Sequence, residues 1–587
     1  MSAQRELSYT SGTSEQPLLG DTIGQNFKKS VARFADREAL VDAPTGRSWT
    51  YAELDRDSDA VAMSLIDRGI SKGDRVGIWA QNLPEWTIVQ YATAKIGAIL
   101  VNINPAYRAH ELEYVINQSG TTLLISQMAA PHSDFVALAR EVAGSVPGLR
   151  LVFINTAAEA VVASPAGGLD ESESFSHLLE RGRELMDRPA VKADVRLATL
   201  GAELGADEPI NIQYTSGTTG FPKGVTLSHH NILNNGYFIG ELLSYTEEDI
   251  VCLPVPFFHC FGMVIGNLDI YSHGACAVIP SPGFDPQATL QAVADEKATS
   301  LYGVPTMFIA ELELANFADF DLSTLRTGVM AGSTCPVEVM KRVISDMHMS
   351  EVAICYGMTE TAPVSTMTRT DDSLERRTET VGRVMPHTEV KVVDPVTGLT
   401  VPRGEKGELC TRGYCVMLGY WEEPDKTAEA IDAARWMHTG DLAIMDDDGY
   451  LNITGRIKDM VIRGGENIYP REIEEFLYQH PAIRDVQVVG VSDEKYGEEL
   501  MAWVILRDGA EELTIEGLRE FCTGQLAHYK IPRYLQITDE FPMTVSGKIR
   551  KVELRAKAEE LVGQEQQFAG MNSRSARGGR DCTCVGQ

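Results

Sequence analysis

The segment at 214–224 has the composition of a loop that binds phosphate. It reads YTSGTTGFPKG and follows strand-like residues at 210–212. Glycine lets a backbone approach a ligand closely, and hydroxyls and free N–H groups donate to phosphate oxygens. Lys223 adds a positive charge. The order differs from the G-x-x-x-x-G-K-[ST] spacing of a Walker A loop, so the composition alone leaves a phosphate loop and an ordinary surface loop both open.

Two carboxylates elsewhere have the chemistry of a nucleotide site. Glu360 lies in YGMTET, after strand-like residues at 353–356, and its hard oxygen atoms suit Mg²⁺. Asp441 ends WMHTGD, and a carboxylate there can accept two hydrogen bonds from a ribose diol. The alternative for Asp441 is an ordinary turn aspartate after glycine.

Three cations lie near the carboxyl-terminal part of the chain. Arg456 and Lys458 belong to GRIKD at 455–459, and Lys548 ends VSGK. The planar guanidinium of Arg456 suits ribose and phosphate oxygens, and a salt bridge at a hinge is its alternative. An exposed linker charge is the alternative for Lys458, and a solvated surface lysine is the alternative for Lys548.

The elements that position these residues alternate between strand and helix patterns. Short β-branched runs at 75–80, 98–103 and 122–126 flank a helical pattern at 51–70. This alternation predicts parallel sheets covered by helices. Beyond Lys458, a helix at 470–480, strands at 486–491 and 501–506 and a helix at 513–526 predict a compact α+β unit. The short charged joint between the two parts favours a hinge.

The composition excludes several classes of protein. The chain has 587 residues, with 52 Lys and Arg against 83 Asp and Glu, for a net charge of −31. Such acidity disfavours nucleic acid and anionic lipid as partners. Ten cysteines without C-x-x-C spacing predict a reducing compartment and buried thiols. With a polar start and no long apolar run, we expect no signal peptide, no membrane insertion and a cytoplasmic location.

These motifs, with GYW at 419–421 and GGEN at 464–467, resemble the adenylate-forming (AMP-binding) superfamily over roughly 20–560, and within it the medium-chain fatty-acyl-CoA synthetases. The resemblance implies an α/β fold. A large domain of stacked mixed sheets with helices plus a β-subdomain is expected at 20–455, a hinge at 456–459 and a small mobile α+β domain at 460–562. A disordered tail is expected at 563–587.

The resemblance also implies a two-step reaction with ATP, Mg²⁺ and CoA. A fatty carboxylate attacks the α-phosphate of ATP, and the thiol of CoA then displaces AMP. Catalytic roles fall to Lys548, Lys223, Thr359 and Glu360, with Glu360 also holding the metal. Contacts to ATP are assigned to Thr215, Ser216, Gly217, Thr218, Thr219, Gly220, Phe221, Pro222, Lys223, Ser333, Thr334, Tyr356, Gly357, Thr359, Asp441, Arg456 and Lys548.

The remaining assignments concern the pivot, the CoA tunnel and the acyl pocket. Lys458 matches the pivot of domain rotation. The CoA tunnel is assigned to Gly464, Gly465 and Glu466, and the acyl pocket to His259, Phe258 and Gly332. A satisfied core histidine is the alternative for His259, and a core tyrosine is the alternative for Tyr356.

The sequence leaves three functions to be distinguished. The first is a fatty-acyl-CoA synthetase, acting as a monomer or homodimer on a small carboxylic acid. The second is an adenylating ligase for an aryl, branched or amino acid, or one that loads a carrier protein. The third is a binding protein without catalysis, which the retention of Lys548, Glu360, Asp441 and Arg456 disfavours. Since a hydrophobic pocket separates neighbouring chain lengths by only ~1–3 kcal/mol per methylene, we expect a broad acyl optimum.

Overall fold

A computed structural model describes residues 6–130, 133–155, 170–215, 222–332, 335–463, 466–493, 495–511, 513–544 and 549–563. The chain forms two compact units. The first comprises Met1–Thr439 and Ile444–Asn452, and the second Gly440–Ala443 and Ile453–Gln587. The predicted boundaries and hinge at 456–459 stay predictions.

A seven-stranded mixed sheet forms one layer of the first unit. Its spatial order is Gly419–Tyr420, Lys223–Ser228, Pro209–Thr215, Ile99–Asn102, Arg75–Trp79, Leu123–Gln127 and Arg150–Ile154. The last five strands are parallel, and the first two pair antiparallel. The three predicted strands at 75–80, 98–103 and 122–126 are therefore neighbours in this sheet.

A nine-stranded mixed sheet forms the second large layer. Its spatial order is Arg383–Val384, Val364–Met367, Glu351–Gly357, Thr327–Ala331, Ser300–Gly303, Ile250–Cys252, Cys276–Ile279, Glu38–Asp42 and Arg47–Thr50. The strands between Glu351–Gly357 and Glu38–Asp42 are parallel. The two sheets share a core.

Helices connect and cover these strands. Those of the first unit are Ile23–Phe34, Tyr51–Asp67, Pro84–Ile96, Ala109–Ser119, Phe135–Ser145, Phe175–Met186, Ala193–Ala202, His229–Leu243, the π-helix Phe261–Leu268, Asp269–His273, Pro286–Glu296, Pro305–Leu312, Val337–Asp346, Leu374–Glu379 and Pro424–Ala430. Capping boxes at Thr22 and Thr50 begin two of them, because each side chain satisfies a free N–H of the first turn. No helix among the described residues is long and apolar enough to span a membrane.

The largest core cluster joins the two sheets. It contains Ile78 and Leu100 from the seven-stranded sheet, Leu40 and Val251 from the nine-stranded sheet, and Phe27 from a helix. A buried core side chain contributes about 1.5–3 kcal/mol through removal of its apolar surface from water. The predicted stacked mixed sheets with helices are confirmed.

A smaller antiparallel sheet supplies the predicted β-subdomain. Its order is Tyr9–Ser11, Thr388–Val393, Lys406–Gly413, Met437–Met445 and Leu451–Arg456. The division between the two compact units falls within the last two of these strands. A two-stranded ribbon, Ala129–Ala130 with Ser133–Asp134, completes the sheets described in the first unit.

The second unit is α+β, as predicted. Its sheet has the order Glu466–Ile468, Val461–Arg463, Gly497–Leu506 and Ile483–Asp493, and Tyr534–Ile537 pairs parallel with Gly497–Leu506. Its helices are Pro470–Leu477, Ile515–Cys522 and 551–563. The helix expected at 513–526 is shorter because Thr514 caps its start and Gly524 adopts a φ of 80° after its end.

A buried ion cluster ties three helices of the first unit together. Lys95 is only 5% exposed, and its ammonium donates to Asp55 Oδ1 at 2.8 Å and Asp59 Oδ1 at 2.6 Å. Lys28 Nζ lies 2.7 Å from a carboxylate oxygen of each aspartate. Burial alone would raise the pKa of the Asp55 carboxyl, but Lys95 and Lys28 outweigh it and hold that pKa below its usual value.

Replacement of Lys95 by methionine is expected to destabilise the first unit by about 3–5 kcal/mol, because two buried carboxylates lose a partner. Denaturant unfolding measures this loss. Lys29→Met is the matched control, since the Lys29 side chain is 66% exposed and its ion pair in the described part of the chain is with Asp21, so a change below about 1 kcal/mol is expected. Equal losses in the two variants would show that the buried cluster is not stabilising.

The pKa of a second carboxyl, that of Glu311, is raised by burial, in contrast to the lowered pKa of Asp55. Glu311, on Pro305–Leu312, is 1% exposed, and neither side-chain oxygen has a hydrogen-bond partner among the described residues. Burial raises the pKa of Glu311 well above its ordinary value of 4.5. The folded state therefore holds this proton more tightly than the unfolded state, and stability falls as pH rises above the ordinary value.

Glu311→Leu is expected to stabilise the protein by about 1–3 kcal/mol near pH 8, because it removes an unsatisfied buried polar group. The gain should shrink as the pH falls toward the ordinary glutamate range. Melting temperatures at several pH values measure both effects. The exposed Glu313 supplies the control Glu313→Leu, and a Glu311→Leu gain that does not depend on pH would contradict this account.

Candidate nucleotide and acyl site

Two antiparallel strands flank the predicted phosphate loop. Strands Pro209–Thr215 and Lys223–Ser228 pair antiparallel, with Thr215 opposite Lys223. Lys223 thus begins a strand, whereas the sequence pattern placed it within a loop. Pro222 precedes it, and its carbonyl accepts a hydrogen bond from Tyr114 Oη at 3.2 Å. The loop residues Ser216, Gly217, Thr218, Thr219, Gly220 and Phe221 lie outside the described part of the chain.

Lys223 and Glu360 both contact Tyr420, Lys223 at the face of the ring and Glu360 at the hydroxyl. The Lys223 ammonium lies 4.6 Å from the centre of the Tyr420 ring, a cation–π geometry. The Tyr420 hydroxyl donates to Glu360 Oε1 at 2.9 Å. Strand Gly419–Tyr420 pairs with Lys223–Ser228, with Tyr420 opposite Val225. This pairing places the tyrosine between the two predicted catalytic residues.

Tyr420 was not among the predicted site residues, although it lies in the GYW motif that supported the family resemblance. Burial and the neighbouring Glu360 carboxylate raise the pKa of Tyr420. Its hydroxyl therefore keeps its proton at neutral pH and donates to Glu360. The sequence carried no signal for its contact with Lys223, because Tyr420 lies opposite Val225, two residues from Lys223, only once the two strands are paired.

Thr359 and Glu360 occupy a tight turn after a strand of the nine-stranded sheet. The 3₁₀ turn Thr359–Thr361 follows Glu351–Gly357, and both residues are 7% exposed. Met417 donates its N–H to the Glu360 carbonyl at 2.9 Å. A buried carboxylate fixed at its main chain and at one side-chain oxygen has the rigidity that a metal ligand needs.

Parallel strands bring Gly332, predicted in the acyl pocket, and Tyr356, predicted to contact ATP, to one edge of the sheet. Ala331 and Cys355 are register partners, so Gly332 and Tyr356 follow at neighbouring strand ends. In open α/β sheets, ligands bind at the carboxyl ends of the strands. Tyr356 is half-buried and Gly357 is exposed. A Cβ at Gly357 would lie 1.8 Å from the Pro363 carbonyl oxygen, so only glycine fits there. Ser333 and Thr334 lie outside the described residues.

The predicted acyl segment contacts the Glu360 turn. Phe258 and His259 are half-buried and precede the π-helix. His259 Nδ1 accepts the N–H of Phe261 at 3.1 Å, and Cys260 Sγ lies 3.8 Å from Thr359 Oγ1. The backbone contact agrees with the alternative of a satisfied core histidine and leaves Nε2 of the neutral ring as the N–H.

A cavity of about 480 Å³ lies beside Tyr420. It is lined by residues of the segment that carries helix Pro424–Ala430, including Glu423, Thr427 and Arg435. None of Phe258, His259 and Gly332 lines this cavity. The predicted acyl pocket therefore stays a prediction.

In the second unit, Asp441 and Arg456 form an ion pair. Asp441 Oδ1 lies 3.0 Å from Arg456 Nε. The Asp441 side chain is 9% exposed and that of Arg456 is 66% exposed. The pairing matches the salt-bridge alternative for Arg456, and its exposed guanidinium still offers donors to a ligand. The sequence predicted both residues but not their contact.

The remaining predicted residues of the second unit are only partly described. Lys458 is exposed in the 3₁₀ turn Ile457–Asp459. Glu466 begins an edge strand and pairs with Arg463. Gly464, Gly465 and Lys548 lie outside the described residues, as does the tail from 564 onward.

Comparisons with known proteins agree with these observations. The model of the AMP-binding enzyme family matches residues 27–421, and that of the AMP-binding enzyme C-terminal domain matches 472–548. YngI of Bacillus subtilis, which is named as an acyl-CoA synthetase, is 50% identical over 554 residues, covering 93% of this chain and 98% of that protein. The mitochondrial medium-chain acyl-CoA ligase ACSF2 of Danio rerio is 43% identical, covering 95% of this chain and 91% of that protein.

Solved structures show the same fold. The anthranilate CoA ligase AuaEII, in complex with anthranoyl-AMP, has a TM-score of 0.78 at 25% identity, covering 94% of this chain and 99% of that one. ATP-bound MatB from Rhodopseudomonas palustris has a TM-score of 0.76 at 27% identity, covering 92% and 99%. With two family models matched in chain order and relatives aligned over nearly the whole length, the chain belongs to the AMP-binding enzyme family.

Proposed function

We propose that this enzyme converts a medium-chain fatty acid to its acyl-adenylate with release of pyrophosphate, and then to acyl-CoA with release of AMP. The contacts of Tyr420 with Lys223 and with Glu360, at the strand that follows the predicted phosphate loop, carry the proposal. The names of the relatives from B. subtilis and D. rerio support the reaction, and the second name supports the chain length.

The first step must bring two anions together. A carboxylate oxygen of the fatty acid attacks the α-phosphorus of ATP, and the bond to pyrophosphate breaks. Charge develops on the phosphate oxygens, so fixed donors and cations lower the barrier. Lys223 supplies a positive charge at the start of its strand. Since the whole chain carries a net charge of −31, this site must be a local exception to the negative field.

The residues around Glu360 fit a Mg²⁺ ion. The carboxylate is nearly buried, its position is fixed by Tyr420 and by the Met417 N–H, and its oxygens are the hard ligands that Mg²⁺ prefers. When bound beside Glu360, Mg²⁺ would supply positive charge that offsets the negative charge of the phosphate groups. Thr359, in the same turn, would donate its hydroxyl to a phosphate oxygen.

The nucleoside contacts follow from the two strand-end positions and the ion pair. We assign stacking on adenine to Tyr356 and close backbone approach to Gly332 and Gly357. Asp441 would accept hydrogen bonds from the ribose hydroxyls, and Arg456 would donate to ribose or phosphate oxygens. The ion pair between them holds the Asp441 carboxylate ready for that role.

The second step forms the thioester from the acyl-adenylate. The CoA thiolate attacks the acyl carbon, and the bond to AMP breaks. We assign rotation between the steps to Lys458 and the CoA tunnel to Gly464, Gly465 and Glu466. Lys548 would neutralise the carboxylate and α-phosphate in the first step only. The cytoplasmic location and the monomeric or homodimeric state also remain predictions.

A chain-length profile tests the proposed substrate. The enzyme is incubated with ATP, Mg²⁺, CoA and one acid at a time, from acetate to palmitate, with benzoate and an amino acid alongside. We expect a broad maximum of acyl-CoA formation at medium chain lengths, because a hydrophobic pocket separates neighbouring lengths by only ~1–3 kcal/mol. A clear preference for an aryl or amino acid would contradict the medium-chain assignment.

A further inference from the structure

Three potential metal ligands converge in the antiparallel sheet of the first unit. Glu408 and Cys410 lie on strand Lys406–Gly413, and His438 lies on Met437–Met445. The two strands are neighbours in this sheet. Residues two apart on a strand point to the same face, so Glu408 and Cys410 share the face on which His438 approaches them.

The distances suit a single ion. His438 Nδ1 lies 2.9 Å from Glu408 Oε2 and 3.6 Å from Cys410 Sγ, and the three ligand atoms lie within 4.8 Å of one another. With zinc bonds of about 2.3 Å to sulfur and about 2.0–2.1 Å to nitrogen, the sulfur–nitrogen edge of a tetrahedron is about 3.5 Å. The observed sulfur–nitrogen distance already matches that edge.

The environment of His438 resembles that of a ligating histidine. Its Nδ1 faces the cluster, and its Nε2 lies 3.8 Å from Asp432 Oδ2. Metal-bound histidines usually direct the second ring nitrogen to a carboxylate, which orients the ring. The His438 side chain is 34% exposed, so an ion can reach the cluster from solvent. Cys410 is fully buried and packs with Val393 and Trp436.

We propose that Glu408, Cys410 and His438 bind one divalent ion of the zinc class, with the fourth position taken by water. Thiolate, imidazole and carboxylate together favour Zn²⁺ or Co²⁺ over Mg²⁺. The thiolate and the carboxylate balance the charge of the ion, and the thiol proton passes to solvent on binding. The site is separate from the Mg²⁺ ligand assigned to Glu360, and nothing in the proposed reaction requires it.

Cobalt binding to the full-length protein tests the site directly. The protein is stripped with a chelator and titrated with Co²⁺, and thiolate-to-cobalt charge-transfer absorption in the near ultraviolet is recorded. We expect one Co²⁺ per chain, a band that Zn²⁺ abolishes, and no band in Cys410→Ser. Glu408→Gln and His438→Gln should weaken binding by at least about tenfold, since even the loss of an outer partner costs about 10- to 100-fold.

Two controls separate this site from the other thiols. Cys582→Ser with Cys584→Ser removes the thiol pair near the end of the chain, and Cys415→Ser removes another buried thiol. Both variants should keep the band. If Cys410→Ser fails to fold, the affinities of Glu408→Gln and His438→Gln decide. Absence of saturable binding, a band unchanged in Cys410→Ser, unchanged affinity in both other ligand variants, or loss of the band only in the Cys582 and Cys584 variant would overturn the proposal.

Discussion

Replacement of Lys548 by alanine slows acyl-adenylate formation by about 10²- to 10³-fold, the usual cost of one well-placed transition-state contact. In the proposed first step, this lysine would offset the negative charge of the fatty carboxylate and the α-phosphate. Thioester formation from supplied acyl-AMP keeps most of its rate, because that step does not bring a fatty carboxylate to the α-phosphate of ATP. Single-turnover assays of the two half-reactions measure the difference.

The control for Lys548→Ala lies on the helix that follows. Lys557 is exposed on the helix at 551–563, and Lys557→Ala removes a positive charge from the same region of the chain. Both half-reactions should stay within about twofold of the parent enzyme for a surface change of this kind. Equal loss of both half-reactions in Lys548→Ala would contradict the assignment of this lysine to adenylation alone.

Glu360→Gln is expected to lower the rate of adenylation by about 10²-fold and to raise the Mg²⁺ concentration needed for half-maximal rate. The substitution keeps the size of the side chain but removes the charge that a Mg²⁺ ligand supplies. Tyr420→Phe, which removes the hydrogen bond to Glu360, should cost about 10- to 100-fold, since bonds to charged groups contribute about 1.5–3 kcal/mol. Initial rates across a Mg²⁺ series measure both variants.

Glu429→Gln provides the matched control for Glu360→Gln. Glu429 is exposed on helix Pro424–Ala430, so its loss should leave the Mg²⁺ dependence unchanged. A Glu360→Gln enzyme with a lower rate but an unaltered Mg²⁺ dependence would show that this carboxylate does not hold the metal.

The sequence predicted the layers of the fold because their signals are local. The run predicted as a strand at 75–80 is the strand Arg75–Trp79, since apolar and β-branched residues between turn residues are typical of a strand. The pairing of the two strands that flank the phosphate loop was harder to predict. The antiparallel pairing of Lys223 with Thr215 depends on strand register, and the local pattern of Gly, Ser and Thr resembles a loop on both sides of Phe221.

Contacts between distant segments could not be predicted in this way. Tyr420 lies 60 residues from Glu360 along the chain, and it comes beside Lys223 through the pairing of Gly419–Tyr420 with Lys223–Ser228. The same holds for His438 and Cys410, which lie 28 residues apart on neighbouring strands. A single sequence shows the chemistry of such residues but not which of them meet.

The most direct test of the proposed acyl-adenylate reaction is ATP–pyrophosphate exchange. The enzyme is incubated with ATP, Mg²⁺ and labelled pyrophosphate, with or without octanoate and with or without CoA. The proposed order of the two steps predicts exchange that requires octanoate and proceeds without CoA, because the acyl-adenylate forms before the thiol reacts. Exchange that is absent with every carboxylic acid, or that appears only when CoA is present, would contradict it.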